Sequence, residues 1–324
     1  MRLMRAHTQT HDSGDCDNWH MSATSSISHY IKEIGRGKEG ARSLTRAQAA
    51  DLFGLVLDGA VSDLEIGAFC LSMRIKGETP LELMGFIDAA EAQIQKDALQ
   101  PLSHKASARP VVVIPSYNGA RKLPLLTPLL AHLLAKNGCD VLVHGMDEGL
   151  GSRVTSAALF AQLPAHANVH YVSIAKLSPS LKKLLDVRKV VGLRNSAHSV
   201  VKLINPYRSE THTKSVLVTS YTHPEYAVSM NETLVGLQAT ALLLRGTEGE
   251  AVADPRRTPV MTGLRAGTAV VLQEMQHGSI DTLPLLPATT DAAITASYIQ
   301  SVLAGDQRVP APIALQVQHI LKLL

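Results

Sequence analysis

The stretch Val111-Val112-Val113-Ile114-Pro115-Ser116-Tyr117-Asn118-Gly119-Ala120-Arg121-Lys122 decides the fold. Four apolar β-branched residues run without alternation into a turn signal, the pattern of a strand covered on both faces rather than wet on one. The same kind of run recurs downstream, separated by helical periods. Residues 123–137 read as a helix closed by Gly138, 140–144 as a second strand, 154–162 as a helix and 169–174 as a third strand. A strand at 215–219, a long helix at 224–245, short strands near Ala251 and Ala269 and two terminal helices follow. Strands separated by helices predict an α/β domain over 109–324 with a mostly parallel sheet.

Upstream the signals are helical. Three capping boxes, Thr45 with Gln48, Ser62 with Glu65 and Thr79 with Glu82, each place a polar cap three residues before a side chain that can reach back. Pro80 stands at the first helical position of the third. Residues 26–98 therefore form a small all-helical domain. The linker after it holds Pro101, Ser103, Ser107 and Pro110. Residues 1–25 are polar and without period, which predicts a disordered tail; its His7, His11, Cys16 and His20 have no fixed ligand spacing.

Composition narrows the function classes. With 324 residues, 45% hydrophobic and 18% charged, the chain fits a folded protein of one large and one smaller domain. Three scattered cysteines, Cys16, Cys70 and Cys139, point to a reducing, cytoplasmic compartment and away from a structural zinc site. No apolar run is long enough to span a bilayer, and no secretory signal is evident near the start, so no membrane role is expected. The net charge is only +3, yet residues 176–214 carry nine basic residues (Lys176, Lys182, Lys183, Arg188, Lys189, Arg194, Lys202, Arg208, Lys214) and two acids, Asp186 and Glu210. The rest of the chain is therefore net acidic, and the concentrated positive charge suits a polyanion, although such runs are often only solvated helix faces.

Few motifs carry chemistry. Gly35, Gly37 and Gly40 spell a dinucleotide fingerprint, but a helical stretch precedes them where the fingerprint needs a strand, so they read as a loop between helices. The loop after the first strand sits where α/β sheets bind ligands, yet it has one glycine and offers Arg121 and Lys122 instead of an amide cage. These two cations suit a polymer phosphate, or merely solvate a helix start. Glu248 and Glu250, in Gly246-Thr247-Glu248-Gly249-Glu250, could hold magnesium, but such exposed paired carboxylates in a turn are more often structural. His198 suits helix packing or a phosphate contact better than base catalysis. No catalytic residue, cofactor or metal site is expected.

Residues 66–69 (IGAF) and 73–79 (MRIKGET) resemble the helical-domain signature of anthranilate phosphoribosyltransferases. The phrases IKEIGRGK (31–38), IPSYNGARK (114–122), GLRNSAHS (192–199), HPEY (223–226) and GTEGE (246–250) resemble more closely the YbiB-type, TrpD-like family of bacterial nucleic-acid-binding proteins on that fold. The resemblance implies the anthranilate phosphoribosyltransferase, nucleoside phosphorylase-like fold, with helices at about 178–206 inserted into the helical domain and a homodimer through that domain. It also implies sequence-independent binding of single- and double-stranded DNA and of RNA through the phosphate backbone, in a basic groove and without transferase activity. Arg121, Lys122, Lys176, Lys182, Lys183, Arg188, Lys189, Arg194, His198, Lys202 and Arg208 are then the candidate nucleic-acid contacts. The enzymes' diphosphate loop looks to correspond to 115–120, their K-H-G-N-R element to Val143-His144-Gly145-Met146-Asp147 and their magnesium-holding Asp-Glu pair to the Glu248 region, all altered here. The anthranilate-contacting arginine falls near Arg188. A phosphoribosyltransferase of altered substrate specificity is the alternative.

Overall fold

The computed structural model describes residues 26–99, 109–149, 151–210 and 212–324; the tail with Cys16 and most of the linker lie outside them. Five helices come first: α1 (Ser28–Ile34), the short α2 (Gly37–Gly40), α3 (Arg46–Leu57), α4 (Asp63–Lys76) and α5 (Pro80–Ala92). All three capping boxes form as the spacing predicts. The third does more than cap. Glu82 is fully buried and also accepts from Leu44 N at 2.9 Å and from Lys76 Nζ at 2.6 Å, tying the starts of α3 and α5 to the end of α4. Gly35 and Gly37 belong to the α1–α2 junction, in agreement with the non-dinucleotide reading.

The α/β part follows as β1 (Val111–Ser116), α6 (Thr127–Lys136), β2 (Asp140–Gly145), α7 (Ser156–Phe160), β3 (Val169–Ser173), α8 (Ile174–Leu177), α9 (Pro179–Val191), α10 (Ala197–Val200), β4 (Ser215–Tyr221), α11 (Pro224–Gly236), β5 (Ala241–Arg245), β6 (Met261–Arg265), β7 (Thr268–Gln273), α12 (Ala292–Ala304) and α13 (Ala311–Leu323). One seven-stranded sheet has the order β3-β2-β1-β4-β5-β6-β7. β3 through β5 in that order run parallel, and β6 and β7 add antiparallel strands at one edge. The order reverses at β1, whose neighbours are β2 and β4, so a crevice opens beyond the carboxyl ends of β1 and β4.

Every residue of β1 and β2 is buried. Alternate residues serve two cores. Val111, Val113, Leu142 and Leu217 face a cluster shared with α3, α4, α5, α9 and α10, whereas Val112, Ile114, Val141 and Val218 face α6, α12 and α13. The helical bundle thus has no separate core. It closes over one sheet face, and Leu181, Leu184 and Leu185 of α9 belong to the same cluster.

Four sequence expectations change. The helix placed at 224–245 is two elements: α11 ends near Gly236, Gln238 takes a left-handed φ of 52°, and β5 begins at Ala241. A strand beside β4 must be dry on both faces, and the apolar Leu242 to Leu244 meet that need where a surface helix would waste it. The helix placed at 123–137 begins only at Thr127, because 121–126 belong to the loop after β1. Ala251 lies in a turn rather than a strand, and β6 was not legible as one. The helix at 154–162 shortens to α7.

The tightest helix contact is between α3 and α5 at Gly85. A Cβ there would stand 2.3 Å from Arg46 O and 2.8 Å from Ala49 Cβ. Gly85→Ala is expected to force these helices apart and lower unfolding stability by about 1–3 kcal/mol, measured by urea denaturation; an unchanged midpoint would refute the tight packing.

Candidate functional site

Two segments meet at the crevice: the loop that follows β1, and the turn 246–250 that follows β5. Gly119 has φ 68°, Glu248 φ 53° and Gly249 φ 88°, so both segments are tightly folded. At Gly249 the geometry demands glycine, since a Cβ would lie 1.8 Å from Asn118 Nδ2.

The Glu250 Oε1 atom accepts from the backbone N–H groups of Asn118 (2.7 Å) and Gly119 (2.6 Å). Its Oε2 accepts from Ser116 Oγ at 2.5 Å, and Ser116 in turn lies 2.6 Å from Ser156 Oγ. The Glu248 Oε2 atom accepts from Arg121 N (2.8 Å), Lys122 N (3.0 Å) and Leu123 N (3.3 Å). Burial would raise the Glu248 carboxyl, but these three amides and the nearby Arg153 outweigh it and hold the group below its ordinary range. Five amide N–H groups therefore converge as they do around a phosphate, and two carboxylates of the same chain occupy them. Here the sequence expectation is corrected: Glu250 is buried and Glu248 partly so, not an exposed pair in a turn. Behind them, Tyr117 donates to or accepts from His144 Nδ1 at 2.7 Å, and burial pushes His144 down to about 3. Tyr117 is thus half-buried and packed against the core, and Tyr207 is buried within it, so both rings are engaged inside the protein.

The candidate cations separate into groups. Arg121 and Lys122 have exposed side chains above the filled loop. Arg194 lies within the charge of Arg188, Arg153 and Arg74, and His198 within that of Arg194, Arg188 and Lys202. Arg74 and Arg153 were missed by sequence reasoning: Arg74 sits in the stretch 73–79, quoted only for its resemblance, and Arg153 has no basic neighbours in sequence. Among the described residues none of Arg74, Arg188, Arg194 or Lys202 is ion-paired to a carboxylate. Arg153 donates to Asn118 O and Gly119 O at 3.2 and 3.1 Å, which connects the filled loop to the arginine cluster.

Other candidates carry less free charge. Lys182 and Lys189 share Asp186, the latter at 3.1 Å, whereas Lys183 and Lys176 are exposed without such a partner. Arg208 is turned away from this region. It binds Asp88 at 2.8 Å and Glu91 at 2.7 Å beside the amino ends of the strands, and is removed from the phosphate contacts as a structural ion-pair residue. His198 is pushed down to about 4 by burial and by Arg194 and Arg188, so it stands as a neutral imidazole among cations at neutral pH.

Comparison with known proteins fits this geometry. Protein YbiB of Escherichia coli strain K12 is 37% identical over 303 residues, covering 89% of this chain and 91% of that protein. The chain belongs to the anthranilate phosphoribosyltransferase family as a homologue of YbiB. Residues 28–93 match the family described as "Glycosyl transferase family, helical bundle domain". The anthranilate phosphoribosyltransferase of Symbiobacterium thermophilum is 24% identical over 273 residues, 79% of this chain and 72% of that enzyme. Among solved structures, anthranilate phosphoribosyltransferase (TrpD) from Thermus thermophilus superposes with a TM-score of 0.63 at 18% identity, covering 89% of this chain and 85% of that one. The Saccharomyces cerevisiae enzyme in complex with PRPP and Mg gives 0.60 at 11% identity, covering 88% and 83%. The TrpD-like fold, a helical bundle followed by a mostly parallel seven-stranded sheet, is the one expected from the sequence. Among the described residues no helix is long and apolar enough to cross a membrane.

If Glu250 holds the loop closed, Glu250→Ala leaves the Asn118 and Gly119 amides buried without partners. A stability loss on the order of 3 kcal/mol is expected in urea denaturation, with Glu250→Gln milder because its carbonyl still accepts. Equal stability of the wild type and the alanine variant would show that the contact is incidental.

Proposed function

We propose that this protein binds DNA and RNA without sequence preference through phosphate contacts on its basic surface, and that it has no phosphoribosyltransferase activity. The observation that carries this reading is the arginine cluster without carboxylate partners, set beside an anion loop already filled from within. A cluster of like charges raises the free energy of the empty protein, and a polyanion relieves it. Arg121, Lys122, Lys176, Lys183, Arg188 and Arg194 supply the outer contacts, with Lys182 and Lys189 contributing only what Asp186 leaves.

The enzymes of this fold use phosphoribosyl diphosphate with magnesium, and the residues here do not fit that pair. The loop amides are bonded to Glu248 and Glu250, and the carboxylate oxygens that would ligate a cation are engaged by N–H and O–H donors. A transferase of altered specificity would first have to break these bonds.

Fluorescence anisotropy with single-stranded DNA tests the reading. The log-log salt slope is expected on the order of −2 to −5 per protomer for about three to five neutralised phosphates. The combined Lys183→Glu, Arg188→Glu and Arg194→Glu variant should lose at least about tenfold in affinity with unchanged melting, since all three side chains lie at least partly in solvent. Salt-independent binding, or full affinity in that variant, would overturn it.

The same reading includes a homodimer through the helical domain. In the helical domain Leu52, Val56 and Phe69 are consumed by the protomer's own core, whereas Leu71 is left 43% exposed. On the same helix α4, Leu64 (81% exposed) and Ile75 (60%) are exposed with it. With Ala68 they recur at intervals of four, three and four residues, the seam of a helix that packs against a copy of itself. Two basic surfaces then share one assembly. Affinity is expected to rise with oligonucleotide length to a threshold and then level off, and Leu64→Glu with Ile75→Glu should yield a monomer in sedimentation and remove the length dependence. A monomeric wild type would refute the dimer.

A further inference from the structure

Between α4, α10 and the start of α11 lies a cleft of about 470 Å³, adjoining the filled loop but separate from its amides. Lys202 is a half-buried part of its lining. Among the described residues its ammonium makes one hydrogen bond, to Gly249 O at 3.4 Å, so other donors of the group have no protein partner there. Burial is the main reason the group is pushed down to about 8, despite the favourable charge of Glu250 behind it. Arg194 and Arg74 line the cleft as well, and among the described residues neither is ion-paired. Two carboxylates also border the cleft: Glu78, which accepts from Ser196 Oγ at 2.6 Å, and Glu225 in the first turn of α11. At the mouth stand His223 and Tyr226, ring centroids 6.4 Å apart, with Tyr226 40% exposed.

We propose that this cleft binds a single nucleoside monophosphate unit, with its phosphate on Lys202 and Arg194 and its base against Tyr226 and His223. Two cations and an exposed aromatic pair match the two ends of a nucleotide: a charge-assisted contact for the phosphate and a stacking surface for the base. Lys202 is half-buried and Arg194 exposed beside it. A phosphomonoester carries about two negative charges against one for an internal phosphodiester, so a pair of cations favours the monoester. That monoester comes from a free mononucleotide or from the phosphorylated end of a strand. Only the second source rests on the nucleic-acid reading above.

The test uses the full chain and short fluorescent single strands that differ only in a 5′-phosphate, a 3′-phosphate or neither, with a circular single strand as the endless control. Phosphorylation at one end is expected to strengthen binding about fivefold or more. Deoxyadenosine monophosphate should compete away that gain, and deoxyadenosine should not. Lys202→Gln should bring the ratio of phosphorylated to unphosphorylated affinity to about one. Arg194→Gln, at an exposed position that tolerates substitution, should lower it in the same direction. Tyr226→Ala should reduce the preference for the mononucleotide over inorganic phosphate. Equal affinity for all ends, with no displacement by the mononucleotide, overturns the cleft site and leaves the basic-surface reading standing. Binding of the mononucleotide that depends on Lys202, with no oligonucleotide bound at all, supports the cleft and overturns that reading instead.

Discussion

Two glutamates on one tight turn satisfy five backbone amides of another loop, and the site's character depends on that contact. An amide array at the carboxyl end of a parallel sheet is a receptor for anions, because its N–H dipoles point at one place and cannot be reoriented cheaply. Without an acceptor, the buried donor of Gly119 and the half-buried donor of Asn118 would each cost free energy. Glu250 removes that cost, and with Glu248 it forms a structural clasp between the ends of β1 and β5. Ser116, Ser156 and Arg153 extend the clasp to neighbouring segments.

The clasp also leaves the nearby cations unspent. The loop's amides are satisfied from within, while among the described residues Arg74, Arg188, Arg194 and Lys202 stand beside it without ion-paired carboxylates. The charge is therefore directed outward and into the adjoining cleft. The contrast with Arg208 is instructive: it is flanked by Asp88 and Glu91, and its role is to bind the helical layer to the segment before β4.

The shared core explains why these groups stay in register. Because alternate residues of β1 serve opposite faces, the helical bundle and the sheet cannot shift independently without exposing Val111 and Val113. α9 is pinned to the same core by Leu181, Leu184 and Leu185, so its basic face is presented from a rigid support rather than a loop.

Local chemistry was legible in the sequence wherever it acted over a few residues. The three capping boxes, the buried run at 111–114 and the basic segment could each be read from spacing and residue type, and together with the quoted motifs they yielded the fold class. Tertiary structure decided the rest. It split the 224–245 segment, because whether Leu242 to Leu244 wind or extend depends on an adjacent strand more than twenty residues away. It joined Arg74 and Arg153 to the cations of the basic segment, and paired Arg208 with acids more than a hundred residues away. Above all it placed Glu248 and Glu250 on amides about 130 residues distant. A side chain's charge is written in its own residue type, but whether that charge is free, paired or spent inside the protein is fixed only by what the folded chain brings within hydrogen-bonding distance.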